Sequence, residues 1–108
     1  NTVYYNIMTK LLQNLERMTR KYTVSVYHRL ASGRRQKVAE VFVDKSKNIS
    51  EQLEYAYMQT NSINDGWWNN NDVKKYFTSE FCRSTNVGDS LEIAGDYYKC
   101  EIVGFKKQ

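Results

Sequence analysis

The chain holds one histidine and two cysteines, the residues with which nucleophilic or metal chemistry would be done. His28 and Cys82 could serve as base and nucleophile. Nothing in the sequence orients such a pair, and nothing marks an oxyanion hole. His28 also ends an inward-facing stripe of a strand, so a buried or edge histidine is expected rather than a catalytic one. Two cysteines and one histidine give at most three soft ligands, without C-x-x-C spacing, so neither a zinc site nor a cofactor is expected. Cys82 and Cys100 are expected as two reduced thiols, because the N-terminus shows no charged and then apolar leader. The expectation is therefore a non-enzymatic protein of the cytoplasm.

The residues suited to binding are aromatic and basic. Trp67 and Trp68 precede three asparagines, and exposed indoles stack on bases or anchor protein interfaces. Adjacent tryptophans do not easily both face inward, so one is expected in the core and the other outside, where it is an interface candidate. Arg34 and Arg35, with Lys37, make a basic loop tip, and Lys74 and Lys75 add charge near the tryptophans. Arg83 with Ser84 could present an edge to phosphate. The competing reading is plain: short basic runs usually form solvated surface, and a tryptophan usually fills a core.

Composition narrows the class. The chain has 108 residues, 41% hydrophobic and 26% charged, without proline. That is the size of one domain with one small core. Its net charge of +4 is mild for a duplex-DNA binder. No apolar run is long enough for a membrane span, and no membrane partner is expected. The chain begins with Asn1, and Met8 and Met18 are alternative starts. Residues 1–17 are expected to be either an extension or a short native helix, and 18–108 a single α+β domain.

The elements that must position these residues follow from periodicity. Leu11, Leu12, Leu15 and Met18 trace an amphipathic helix over about 8–19. Tyr22, Val24, Val26 and His28 alternate with Thr23, Ser25 and Tyr27 in a half-buried strand. After a turn at 31–35 the chain returns over 38–43, with Ala39, Val41 and Val43 inward. Asn48 and Glu51 have capping-box spacing, and Ile49, Leu53, Ala56, Tyr57 and Thr60 share one face of a helix over 49–61. Asp72 is expected to cap a short helix with Val73, Tyr76 and Phe77. The last hairpin is expected to turn at Gly95-Asp96 in type II′ geometry, Gly first. Ile93 then faces Tyr98, Leu91 faces Cys100, and Glu92 opposes Lys99 on the other face, with Ile102 extending the apolar side. The order (α)ββα(α)ββ predicts an α+β fold: a four-stranded antiparallel sheet of two β-hairpins, with one or two helices on one face.

The segment Arg83-Ser84-Thr85-Asn86-Val87-Gly88-Asp89, with Gly95-Asp96-Tyr97-Tyr98-Lys99-Cys100 and Val103-Gly104-Phe105, resembles small bacteriophage and mobile-element proteins, including YodL-like domains. Those proteins tend to end in R-S-x-S-V-G-D-hydrophobic … G-x-x-Y-x-C/V … G-F/W. The resemblance spans about residues 67–105 and departs at Asn86 and Ser90. It implies a phage setting in a host cytoplasm, and it brings no activity or site residues. The motif itself reads as turn chemistry: Gly88 permits a positive φ, and Asp89 can accept backbone N–H bonds. The expected function is that of an accessory protein that binds a host macromolecule, most plausibly a protein. The alternative is an RNA or single-stranded nucleic-acid binder, using Trp67, Trp68, Tyr76 and Phe77 interleaved with Lys74, Lys75 and Arg83.

Overall fold

In a computed structural model, which describes residues 3, 6–11, 21–62 and 66–108, alternating apolar residues build one antiparallel sheet. The strands are β1 (Lys21–Arg29), β2 (Arg35–Asp44), β3 (Val73–Lys75), β4 (Ser90–Ile93), β5 (Asp96–Cys100) and β6 (Phe105–Lys107). Their spatial order is β3-β2-β1-β4-β5-β6, six strands rather than four. Helix α1 (Ile49–Gln59) covers one face, and a 3₁₀ turn at Trp67–Asn69 follows it. Residues 3 and 6–11 are helical, while residues 12–19 of the expected first helix lie outside the described residues.

The central hairpin forms as its alternation dictates. Val24 and Val26 of β1 and Ala39, Val41 and Val43 of β2 are buried, and His28 is buried at the end of the same stripe. The register shifts between Val26 and Tyr27: Val26 pairs with Ala39 and Tyr27 with Lys37. This is a β-bulge at Val38, and it explains why neighbouring Val38 and Ala39 are both buried.

Helix α1 starts where the capping box lies. The Glu51 N–H donates to Asn48 Oδ1 at 2.8 Å, and Asn48 Nδ2 donates to Glu51 Oε1 at 2.7 Å. Leu53 and Ala56 seal the helix onto the sheet and Thr60 is buried past its end. Ile49 departs from the expected face and is exposed, and Gln52 is buried in the first turns instead.

Both additional strands are edges. Residues 73–75 pair with β2 instead of forming the expected helix. The N–H of Phe42 donates to the Asp72 carbonyl at 2.8 Å, and the N–H of Tyr76 to the Val38 carbonyl at 2.9 Å. An unpaired β2 edge presents a row of unmet backbone groups, and satisfying it outweighs one turn of helix. Strand β6 pairs Cys100 with Phe105 and Tyr98 with Lys107, so the chain continues the sheet beyond Gly104 rather than ending there.

The β4–β5 hairpin differs in register from the expected one. Ile93 faces Asp96, Glu92 faces Tyr97 and Leu91 faces Tyr98, so Glu92 and Lys99 are not opposite. The loop is Ala94-Gly95, with φ of 49° and 89°. Positive φ at both loop positions is type I′ geometry, which matches the strand twist. Leu91, Ile93 and Cys100 remain on the buried face. Ile102 does not join them: it sits in the β5–β6 loop and is 89% exposed.

Candidate functional site

The polar centre of the molecule gathers around His28. Its Nε2 lies 3.0 Å from Thr85 Oγ1, and its Nδ1 lies 3.6 Å from Cys82 Sγ. The fold thus brings together the base and nucleophile that sequence leaves unconnected. The electrostatics are wrong for a reactive pair. Burial pushes the His28 imidazole down to about 4, outweighing the opposing pull of Asp89, while Arg83 adds to the shift. Burial also pushes the Cys82 thiol up. A neutral imidazole beside a neutral thiol is the opposite of the thiolate–imidazolium arrangement that activates cysteine. Cys100 is buried, and burial raises its thiol to about 12. Both cysteines are free thiols.

Asp89 anchors the same cluster. Burial acts to raise its carboxyl, but hydrogen bonds from Arg83 and from the N–H groups of Arg29 and Asn86 hold it below the usual range. Those N–H donors lie at 2.8 and 2.7 Å. Gly88 enters the turn with φ of 94°, the conformation only glycine adopts freely. The Val87-Gly88-Asp89 motif therefore performs the turn chemistry that its residue types suggest.

Several sequence-derived binding candidates are occupied structurally. Arg83 Nη1 donates to Asp89 Oδ2 at 2.7 Å, so its charge is matched internally rather than offered to phosphate. Ser84 Oγ donates to the Ser62 carbonyl at 3.1 Å. Trp67 is 1% exposed, and its Nε1 donates to the Cys82 and Arg83 carbonyls. Trp68 is half-buried and edge-packed against Trp67, Phe77 and Phe81, with centroids 5.5–6.0 Å apart. Its ring lies over Gly66 so closely that a Cβ there would meet it at 2.7 Å. The tryptophans divide into one core residue and one partly covered residue, and neither forms an open platform.

The basic candidates stay at the surface. Lys74 and Lys75 are exposed on edge strand β3, and Lys75 Nζ sits 4.5 Å from the Phe77 ring centre. Arg34 is exposed in the β1–β2 loop. Arg35 Nη1 donates to Ser90 Oγ and, at 2.8 Å, to Gln108 Oε1. Lys75 borders the tryptophan segment through Phe77, which packs on both indoles, whereas Arg35 is engaged with Ser90 and Gln108 instead.

The surface most unlike solvated exterior lies between α1 and the β5–β6 loop. A groove with a volume of about 380 Å³ has Tyr57, Met58, Val87, Ile102 and Phe105 in its lining. Tyr57 and Phe105 pack edge-to-face at 6.2 Å. Met58 is 67% exposed, Val87 53% and Ile102 89%, and the neighbouring Val103 is 90% exposed. Glu54, Glu101 and Gly104 complete the lining. Sequence reasoning missed this surface because it placed Ile102 in the core. The missed signal was the loop between Cys100 and Phe105, closed by a hydrogen bond from the Glu101 N–H to the Gly104 carbonyl.

Among the described residues, no cluster of three metal-ligating side chains occurs, and no helix is long and apolar enough to cross a membrane. No protein-family model matches the chain, and neither a search of curated proteins nor one of solved structures finds a match.

Proposed function

We propose that this chain is a non-enzymatic accessory protein of bacteriophage or mobile-element type that works by binding a host protein. The observation that carries the reading is the groove between α1 and the β5–β6 loop. A run of Met58, Val87, Ile102 and Val103 side chains open to solvent departs from the exterior of a protein that works alone. Met58, Val87 and Ile102 line the groove, with Val103 next to Ile102 in the chain, an arrangement that fits a segment of another chain. Glu54 and Glu101 in that lining select an apolar segment flanked by basic side chains. The phage setting rests on the Arg83–Asp89 and Gly95–Phe105 resemblance. The occupied roles of Trp67 and Arg83 move the binding surface away from the tryptophan segment.

The experiment is affinity capture from a bacterial lysate, comparing the wild type with the Ile102→Asp/Val103→Asp double variant. The captured protein is then purified and titrated against both forms. A partner held by the wild type and lost by the variant supports the reading. A partner that binds both equally removes it.

A further inference from the structure

We infer that the sheet face opposite α1 is a binding surface for single-stranded nucleic acid, separate from the α1 groove. Alternation assigns the face. The core side chains of β1 lie under α1, so Thr23, Ser25 and Tyr27 point the other way. Pairing carries that orientation across the sheet. Tyr27 pairs with Lys37 on one side and Ser90 on the other, Ser90 with Lys99, and Lys99 with Lys106. One transverse row therefore reads Lys37, Tyr27, Ser90, Lys99, Lys106. The next row reads Lys74, Glu40, Ser25, Glu92, Tyr97.

Charge and aromatic placement on these rows match a single strand. Lys37, Lys74, Lys99 and Lys106 are joined by Arg35, which reaches over to Ser90. Glu40 and Glu92 oppose them, and Glu40 is already paired with Lys37 at 2.6 Å. The aromatic rings lie among these cations. Tyr27 and Tyr97 are tilted with centroids 5.8 Å apart. Tyr76 has Lys37 Nζ at 4.4 Å and Lys74 Nζ at 5.2 Å from its ring centre. Tyr76 and Tyr97 are both 40% exposed. Rings that accept stacked bases, set among cations that follow the backbone, are how sequence-tolerant single-strand binders work. Five strands from β2 to β6 make a track on the order of 19 Å at the usual strand spacing, long enough for a few nucleotides. Ser25 and Ser90 are buried at the middle of the two rows, so contact falls to the tyrosine rings and lysines around them, which suit splayed bases better than the stacked bases of a duplex.

The test is fluorescence anisotropy with a labelled oligouridine of about a dozen residues, compared with duplex DNA of equal length. The expected result is binding that weakens steeply with salt and that prefers the single strand. Tyr97→Ala should weaken it by about fivefold or more, and Tyr97→Phe should restore it, because the ring is what stacks. Lys99→Glu/Lys106→Glu should weaken it by about tenfold or more. Both lysines are exposed or half-exposed, so thermal melts should show these variants folded. Ile102→Asp/Val103→Asp should bind the oligonucleotide normally, so failure here and failure of the groove reading are separable. No salt-dependent binding would overturn the proposal. Equal binding to duplex, indifferent to Tyr97, would also overturn it. So would loss of a captured protein partner on Lys99→Glu/Lys106→Glu, which would make this face a protein interface.

Discussion

Arg83 and Asp89 meet fork to fork. Nη1 donates to Oδ2 at 2.7 Å and Nη2 to Oδ1 at 2.8 Å. The second nitrogen also donates to the Arg29 carbonyl at 3.1 Å. Asp89 in turn accepts from the Arg29 and Asn86 N–H groups. One ion pair thus ties the end of β1 to the loop before β4, two segments with no sequence proximity. Asp89 is buried, and the Arg83 side chain is 42% exposed.

This asymmetry predicts unequal losses. Asp89→Ala should cost about 3 kcal/mol or more, because it strands two backbone N–H groups and a guanidinium. Arg83→Ala should cost less, since the backbone donors still satisfy the carboxylate. Urea denaturation of both variants measures the difference, and equal losses would contradict it.

The His28 cluster predicts weakening in acid. The folded imidazole titrates near 4, against 6.5 when free. As pH falls below 6.5, the unfolded chain takes up a proton that the folded chain refuses. Stability therefore drops through the window from 6.5 to 4, by about 1.4 kcal/mol per unit once well inside it. Asp89 acts in the same direction at lower pH: its depressed pKa gives stability above the free carboxyl value, lost as pH falls through the folded one. Denaturant melts from neutral pH downward should show the loss, and His28→Gln should remove its upper part. Stability that rises across that window would contradict the assignment.

Ala94 sits at φ of 49°, a left-handed conformation that strains a side-chain-bearing residue by roughly 1 kcal/mol. Ala94→Gly relieves the strain, and Ala94→Asn gives the favoured Asn-Gly pair of type I′ loops. Both should raise the melting temperature by a few degrees, about 4–8 °C per kcal/mol for a domain of this size. Lower melting temperatures for both would refute the loop assignment.

The two tryptophans should respond differently. Trp67→Ala empties the core and breaks two hydrogen bonds, at a cost of about 3–5 kcal/mol. Trp68→Ala should cost markedly less, because that ring is partly in solvent. Gly66→Ala should displace Trp68, visible as a red shift in its fluorescence. Equal losses from the two alanine variants would contradict the division of roles.

Much of the fold is legible in the residues themselves. The alternation of Tyr22 to His28 and the Asn48–Glu51 box each identify an element, and the structure contains both. The hairpin at Ala94-Gly95 shows where this reasoning is blind. Strand faces repeat every second residue, so a register wrong by two keeps Leu91, Ile93 and Cys100 on the correct side. Only the turn distinguishes the two registers, and Ala94 hides it by accepting a conformation typical of Asn or Gly. Strand β3 is illegible for another reason: three residues carry too little pattern, and it is the β2 edge that makes them a strand. The site was less legible still. His28 and Cys82 lie in different segments and meet only through the fold, and Ile102 looks like core until its loop is known.

The most direct test of the groove is a calorimetric titration of a protein captured by the wild type against the wild type and against Ile102→Asp/Val103→Asp. A saturable complex is expected with the wild type, weakened by about a hundredfold or more in the double variant, as removal of central apolar anchors does. The two proteins should melt at nearly the same temperature, since both side chains stand in solvent. Undiminished affinity in a folded double variant would contradict the claim that the groove between α1 and the β5–β6 loop is where this protein works.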